Sequence, residues 1–243
     1  MQEWEISAVG DALRDYDLLD WAIGRDENEA SEFLAKQAGG GRALELGIGS
    51  GRVAIPLAAR GVPTVGIEGS ASMAEQVIRK QAPGVEVVVG DFADVAVPGP
   101  FQIVYCAYNS FFLLLSQQEQ VRCFGNLAAA LTPGGAFVVQ AFVPEPWLVS
   151  DRQHTRTLHV DLNRTVLFSA VHDAVTQRVD CNQVVITEQG TKLYPLPYRY
   201  SWPSEMDLMA QLAGLELESR DGGWQGEPFT GEGSYVAVYR KPA

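Results

Sequence analysis

The sequence predicts an α/β fold, a doubly wound and mainly parallel seven-stranded sheet with an antiparallel β insert after the fifth strand. Three observations carry that expectation. Between residues 42 and 142, short apolar runs alternate with helical patterns, the order that builds a parallel sheet covered by helices on both faces. The first run, Ala43-Leu44-Glu45-Leu46, passes directly into Gly47-Ile48-Gly49-Ser50-Gly51 before a helical pattern restarts, which reads as strand, tight turn and helix. From Thr155 to Tyr200 the rhythm changes to strand-like alternation, separated by turn signals at Asn163, Asp173 and Gln189-Gly190, and this reads as an antiparallel meander.

From Asp11 to Gln37, Leu13, Tyr16, Leu18, Leu19, Trp21, Ile23, Phe33 and Leu34 recur at irregular helical spacing, broken by the polar stretch Gly24 to Asn28, so two helices are expected before the first strand. At the turn, Gly47 and Gly49 let the backbone bend sharply and approach a ligand with no side chain between, and the amides opening the next helix supply polarity there. Glu45 stands two residues before Gly47, where an ionised carboxylate is costly unless something polar or cationic comes near. Val53 to Arg60 reads as a helix ended by Gly61, and Pro63 to Glu68 as the second strand. Glu68 ends that strand seventeen positions after Gly51, where an acid can accept hydrogen bonds from both ribose hydroxyls of an adenosine cofactor. Gly69, Ser70 and Met73 follow as the next helix opens.

Val85 to Val89 is the third strand, closed by Gly90-Asp91-Phe92; a carboxylate beside an aromatic suits adenine, accepting from its exocyclic amine while the ring packs. Phe101 to Cys106 is the fourth strand. Ligands of such sheets bind beyond the carboxyl ends of the strands, so Cys106, Ala107, Tyr108, Asn109 and Ser110 are expected to line the place where cofactor and acceptor meet. Gln117 to Leu131 is a helix, Thr132-Pro133-Gly134-Gly135 a turn, and Ala136 to Phe142 the fifth strand. After the meander, Ser204 to Leu212 is a helix capped by Ser204 and stopped by Gly214, and Leu215 to Ser219 with Ser234 to Arg240 make a closing strand pair.

Composition narrows the function. A net charge of -12 and a pI near 4.7 argue against nucleic acid as a partner, because a phosphate backbone is bound by clustered Lys and Arg. Cys106, Cys123 and Cys181 are odd in number, far apart and without a Cys-x-x-Cys, so neither a disulfide framework nor a zinc cluster is expected, and free thiols fit a reducing cytoplasm. The three histidines, His154, His159 and His172, show no spacing that would fix a metal, and none is expected. The longest greasy cluster, Phe111 to Leu115, is far too short for a membrane span, and the amino terminus lacks a basic region followed by an apolar run.

The run Glu45-x-Gly47-x-Gly49-x-Gly51 resembles the signature of class I S-adenosylmethionine (SAM) dependent methyltransferases, whose fold is Rossmann-like. Tyr16-Asp17 in the lead-in, Glu68-Gly69, Met73, Gly90-Asp91-Phe92 and Leu131-Thr132-Pro133-Gly134-Gly135 are similar to further elements of that family. The resemblance implies SAM as cofactor, held by Tyr16, Glu45, Gly47, Gly49, Gly51, Glu68, Gly69, Met73, Asp91, Phe92, Cys106 and Ala107. It also implies in-line displacement at the sulfonium methyl by an N or O nucleophile of a small-molecule acceptor. More narrowly, the lead-in, Pro144-Glu145 and the insert look like bacterial amino-sugar and natural-product N-methyltransferases. Relatives with Asp-Pro-Pro-Tyr or Asn-Pro-Pro-Tyr after the fourth strand methylate nucleobases or glutamine amides; here Ala107-Tyr108-Asn109-Ser110 departs from both.

Candidate acceptor-side residues are Tyr16, Tyr108, Asn109 and Glu145, with Trp147 and the histidines as weaker choices; His159 and His172 read as packing or surface residues. The chain is expected to be a single domain, 1–243. Within it, 11–142 is the cofactor core, 151–200 an insert covering the acceptor site or pairing two subunits, and 201–243 the closing elements. Two other readings stand beside this one. A nicotinamide-dependent oxidoreductase would also use Gly47, Gly49 and Glu68, but its fingerprint needs a small residue where Arg52 stands. A SAM-binding module without turnover would carry the same cofactor elements.

Overall fold

The computed structural model describes residues 26–145 and 152–243. Tyr16, the rest of the first lead-in helix and Trp147 lie outside the described residues. The second lead-in helix is α1 (Glu27–Ala38), and the core follows as β1 (Ala43–Leu46), α2 (Ala54–Ala59), β2 (Thr64–Glu68), α3 (Ala71–Lys80), β3 (Val85–Val89), β4 (Phe101–Cys106), α4 (Gln117–Ala130) and β5 (Leu131–Phe142). The chain then runs through β6 (Gln153–Val160), β7 (Arg164–Asp173), β8 (Arg178–Thr187), β9 (Gly190–Pro195), β10 (Tyr198–Arg199), α5 (Pro203–Leu212), β11 (Glu216–Asp221) and β12 (Ser234–Arg240).

Seven strands form the main sheet in the order β11-β12-β5-β4-β1-β2-β3. β1 to β5 are parallel to one another, and β12 is antiparallel to both β5 and β11. All four residues of β1 are buried, as expected for a central strand covered on both faces. The order reverses between β1 and β4, and at such a switch point the loops diverge and leave a crevice above the strand ends. Gly66 on β2 explains how the glycine turn is seated: a Cβ there would stand 2.4 Å from Ile48 Cδ1, so its absence lets the Ile48 side chain of the turn lie directly on the sheet.

Three local expectations are corrected. The helix expected from Ser204 is capped instead by Trp202 without a side-chain hydrogen bond, with Pro203 in its first turn. Proline there has its φ set for the helix and lacks an N–H that would otherwise go unsatisfied, so the helix starts one residue early. The Thr132-Pro133-Gly134-Gly135 turn is absorbed into β5 as a bulge: Phe101 pairs with Leu131, and the next partners are Ile103 and Ala136. α2 is also trimmed at both ends relative to 53–60. No helix among the described residues is long and apolar enough to cross a membrane.

The meander is a second sheet, β10-β8-β7-β6, with β9 pairing on the same edge of β8 as β10. β9 ends at Pro195, and Leu196-Pro197 links it to β10, with the Leu196 N–H pointing inward to the Cys181 carbonyl at 2.9 Å. The second sheet is anchored to the core by Arg199, only 4% exposed, whose guanidinium donates to Gln120 Oε1 on α4, to Ser201 Oγ at 3.0 Å and to Glu205 Oε1 on α5 at 2.7 Å. Gln120 Nε2 in turn donates to the Arg199 carbonyl at 2.9 Å, and Gln177 Nε2 to Glu205 Oε2 at 2.8 Å.

Candidate active site

Gly47, Gly49 and Gly51 have φ of 75°, 56° and 82°, the left-handed region that side chains disfavour, so the turn depends on these three glycines. The Gly47 and Ile48 N–H groups both donate to the Ile67 carbonyl, tying the turn to β2. Glu68 completes the tie: one carboxylate oxygen accepts the Gly49 N–H at 2.8 Å and the other accepts the Ser70 N–H at 2.9 Å. Burial raises the Glu68 pKa, and these backbone hydrogen bonds pull it partly back. Met73 Cε lies 3.9 Å from where a Cβ on Gly49 would stand.

Glu45 is 4% exposed and accepts a hydrogen bond from the Tyr105 hydroxyl at 2.9 Å. Burial pushes its carboxyl up to about 8; the Tyr105 bond and the Arg52 guanidinium oppose the rise, while the Glu68 charge adds to it.

After β4 the chain turns through Tyr108 and Asn109, both in the left-handed region at φ 54° and 64°. The Arg52 guanidinium lies 4.0 Å above the Tyr108 ring, and the Tyr108 hydroxyl donates to Asp26 at 2.8 Å. Asn109 Oδ1 is buried without a hydrogen-bond partner. These segments enclose a cavity of about 260 Å³. One end is formed by Glu45, the glycine turn, Arg52 and Met73, the middle by Ala107 to Ser110, and the far end by Phe112, Leu113, Phe142, Leu196 and Tyr198. A second cavity of about 240 Å³ shares Phe142 and Tyr198 with the first and is otherwise lined by Glu145, Arg156, Phe168 and Ser234 among others.

Of the residues expected at the site, Glu45, Gly47, Gly49, Met73, Ala107, Tyr108 and Asn109 line the first cavity. Glu68 meets it through Gly49. Gly51 sits behind the turn, where a Cβ would be 3.2 Å from Ile55 and Val77. Gly69 follows Glu68 in the half-buried loop. Asp91 accepts the Ala93 N–H at 2.9 Å and stands 3.7 Å from Arg122, while Phe92 Cε1 lies 3.8 Å from a Cβ placed on Gly47. Cys106 is fully buried, donates its thiol to the Leu46 carbonyl and is not part of the lining. Glu145 belongs to the second cavity. His159 faces Asp161 at 2.8 Å and His172 faces the Tyr200 hydroxyl at 3.0 Å, and neither histidine nor His154 lines either cavity.

Ser110 lines the cavity as expected, whereas Arg52, Phe112, Leu113, Phe142, Leu196 and Tyr198 are lining residues that the sequence did not single out. Arg52 carried a signal, a cation directly after the last glycine. The apolar five gave none, because core and cavity wall are written in the same residue types.

A methyltransferase domain model matches residues 43–135. A cypemycin N-terminal methyltransferase from Streptomyces sp is 28% identical over 199 residues, 80% of each chain. The CcbJ methyltransferase of Streptomyces caelestis is 34% identical, with a TM-score of 0.90 over 100% of both chains. SAM-bound CalS10, an amino pentose methyltransferase from Micromonospora echinaspora, shares the fold at 21% identity and a TM-score of 0.68, covering 92% of this chain and 95% of its own. The reversed, antiparallel β11-β12 edge departs from the 3-2-1-4-5-6 order of nicotinamide-binding sheets. On its full-length likeness to a known methyltransferase, its strand order and its glycine turn, the chain belongs to the SAM-dependent methyltransferases.

Proposed function

We propose that the enzyme methylates a nitrogen of a small natural-product acceptor, with the acceptor entering from the insert side of the first cavity. The observation that carries this reading is the continuity of one cavity from the glycine turn to Leu196 and Tyr198 of the insert. When bound, SAM supplies a sulfonium-activated methyl group that passes to the lone pair of a positioned nucleophile. Glu68 is the acceptor for ribose hydroxyls, Asp91 and Phe92 flank the adenine, and Arg52 faces the methionyl carboxylate. Glu45, the only acid among the described residues of that lining, takes the methionyl ammonium. On the acceptor side, Asn109 offers a carbonyl oxygen to an N–H, and Tyr108 stiffens the wall. A neutral amine needs no base to attack, whereas a hydroxyl would need one, and Glu45 is already engaged by Tyr105. The cypemycin N-terminal methyltransferase relative supports the same choice.

The test is calorimetric titration with SAM, followed by an SAH-release assay with small primary and secondary amines. With its pKa at about 8, Glu45 is mostly protonated at pH 7, and an arriving ammonium favours its ionised form. Binding at pH 7 therefore releases a proton, seen as a heat that varies with buffer ionisation enthalpy, and affinity rises with pH up to about 8. Between 4.5 and about 8 the folded protein without cofactor holds a proton that the unfolded chain has lost, so its stability falls as pH rises through that window. Glu45→Gln should abolish the proton release. Buffer-independent heat in the wild type, or no amine turned over with SAM, would count against these assignments.

Cys106, Cys123 and Cys181 are buried free thiols, which supports the cytoplasm as the compartment. The outer face of the second sheet supports a homodimer through residues 151–200: Leu167, Val184 and Leu193 form one cross-strand row, and Leu193 is 57% exposed. Val184→Arg should then halve the mass measured by light scattering, and an unchanged mass would exclude this face.

A further inference from the structure

We infer that Gln140, a residue of β5 outside the cavity lining, is a positioning residue that holds Tyr108 and Asn109 in their left-handed turn and so aims Asn109 Oδ1 at the nucleophile's N–H. The inference rests on the amine-methylating function proposed above. Two consecutive non-glycine residues with positive φ, one of them aromatic, persist only where the surroundings over-determine them.

Gln140 supplies most of that determination. Its side-chain Oε1 accepts the Tyr108 N–H at 3.0 Å, and its main-chain carbonyl accepts the Asn109 N–H at 3.2 Å. Its Nε2 donates to Asp26 Oδ2 at 3.3 Å, and Asp26 Oδ1 accepts the Tyr108 hydroxyl at 2.8 Å. The loop from the Tyr108 amide through Gln140 and Asp26 back to the Tyr108 hydroxyl is thus closed. Arg52 covers the open face of the ring.

The held turn carries an oxygen that needs a donor, since Asn109 lines the cavity and its Oδ1 is buried without a partner. Its place along the cavity identifies the donor. Ser110, the next residue, has its Cβ 3.3 Å from a Cβ placed on Gly47 at the cofactor end. Phe112 packs edge-on against Phe142, with centroids 5.0 Å apart, and Phe142 against Tyr198 at 5.5 Å, at the insert end. Asn109 belongs to the same cavity-lining segment as Ser110, and the donor that the proposal assigns to it is the N–H of the group receiving the methyl.

Sinefungin, a SAM analogue carrying an amine where SAM carries its transferable methyl, is a direct probe against SAH, which has nothing there. Wild type should bind sinefungin more tightly than SAH. Gln140→Leu and Asn109→Ala should each reduce that preference about tenfold while SAH affinity stays within about threefold. The exchanged pair Asp26→Asn with Gln140→Glu should restore it. The carboxylate then accepts both the Tyr108 N–H and the new amide N–H, and the new amide carbonyl accepts the Tyr108 hydroxyl. If Gln140→Leu does not fold, the exchange decides alone: each single change lowers the preference and the pair regains it. Equal weakening of SAH and sinefungin, no wild-type preference, or no restoration would overturn the assignment. A wild type that binds neither compound would overturn the function on which it rests.

Discussion

Glu68→Ala weakens SAM binding by more than about tenfold in a protein that stays folded. Each oxygen of this carboxylate already accepts one backbone N–H, from Gly49 and Ser70, and each keeps a lone pair for a ribose hydroxyl. Hydrogen bonds to an ionised acceptor contribute about 1.5 to 3 kcal/mol each, so losing two exceeds a tenfold change by itself. The substitution also releases Gly49, which then must find its left-handed conformation unaided. Folding is spared because Glu68 is itself a burden: burial raises its pKa, and that desolvation cost disappears with the side chain. Glu68→Gln should fall between, its carbonyl still serving one amide while its NH2 faces the other. Calorimetry reads the affinity and thermal unfolding the fold; a folded variant with unchanged affinity would remove Glu68 from the cofactor site.

Arg199→Ala lowers stability by about 3 kcal/mol, because at the joint between the two sheets it removes the cation facing Glu205 and one donor to Gln120, leaving the carboxylate only the neutral amides of Gln117 and Gln177 and Gln120 only the Ser201 hydroxyl. In a chain of this size, that is a fall of roughly 10 °C in Tm. Burial alone would raise the Glu205 pKa, but hydrogen bonds from Gln177, Arg199 and Gln117 outweigh it and hold the carboxyl below its ordinary value. The pair's stabilisation is therefore present above the usual glutamate range and is lost as pH falls below it. Arg199→Ala with Glu205→Ala together should cost less than the sum of the two alone, since the second change removes the stranded charge. Additive losses measured by chemical denaturation would mean the two residues are not coupled.

The main sheet was legible in the sequence because each strand carried its own apolar run and each turn its own glycine or proline. The cofactor side of the site was legible for a related reason: Glu45, Glu68 and the glycine turn are tied to the sheet by short-range geometry, so their spacing along the chain is their spacing in space. The acceptor side was not. Leu196, Tyr198 and Phe142 come together only when the insert folds back, and nothing in an isolated leucine or tyrosine distinguishes a wall from a core. The same holds for Gln140 and Asp26, whose contact spans 114 positions. The cap at Trp202 escaped because Ser204 is the better capping residue by type, while Pro203 decides where the helix starts.

The edge formed by β9 and β10 has a consequence for the protein at high concentration. Residues alternate along an antiparallel edge between facing the ladder and facing out, and the inward Leu196 N–H places Pro195 and Pro197 on the outward register. Both lack the amide hydrogen that an incoming strand would need, and neither costs the ladder a bond. The insert thus carries two gaps in this edge, a guard against aggregation that leaves the ladder intact. Strand addition at this edge is therefore interrupted at both prolines.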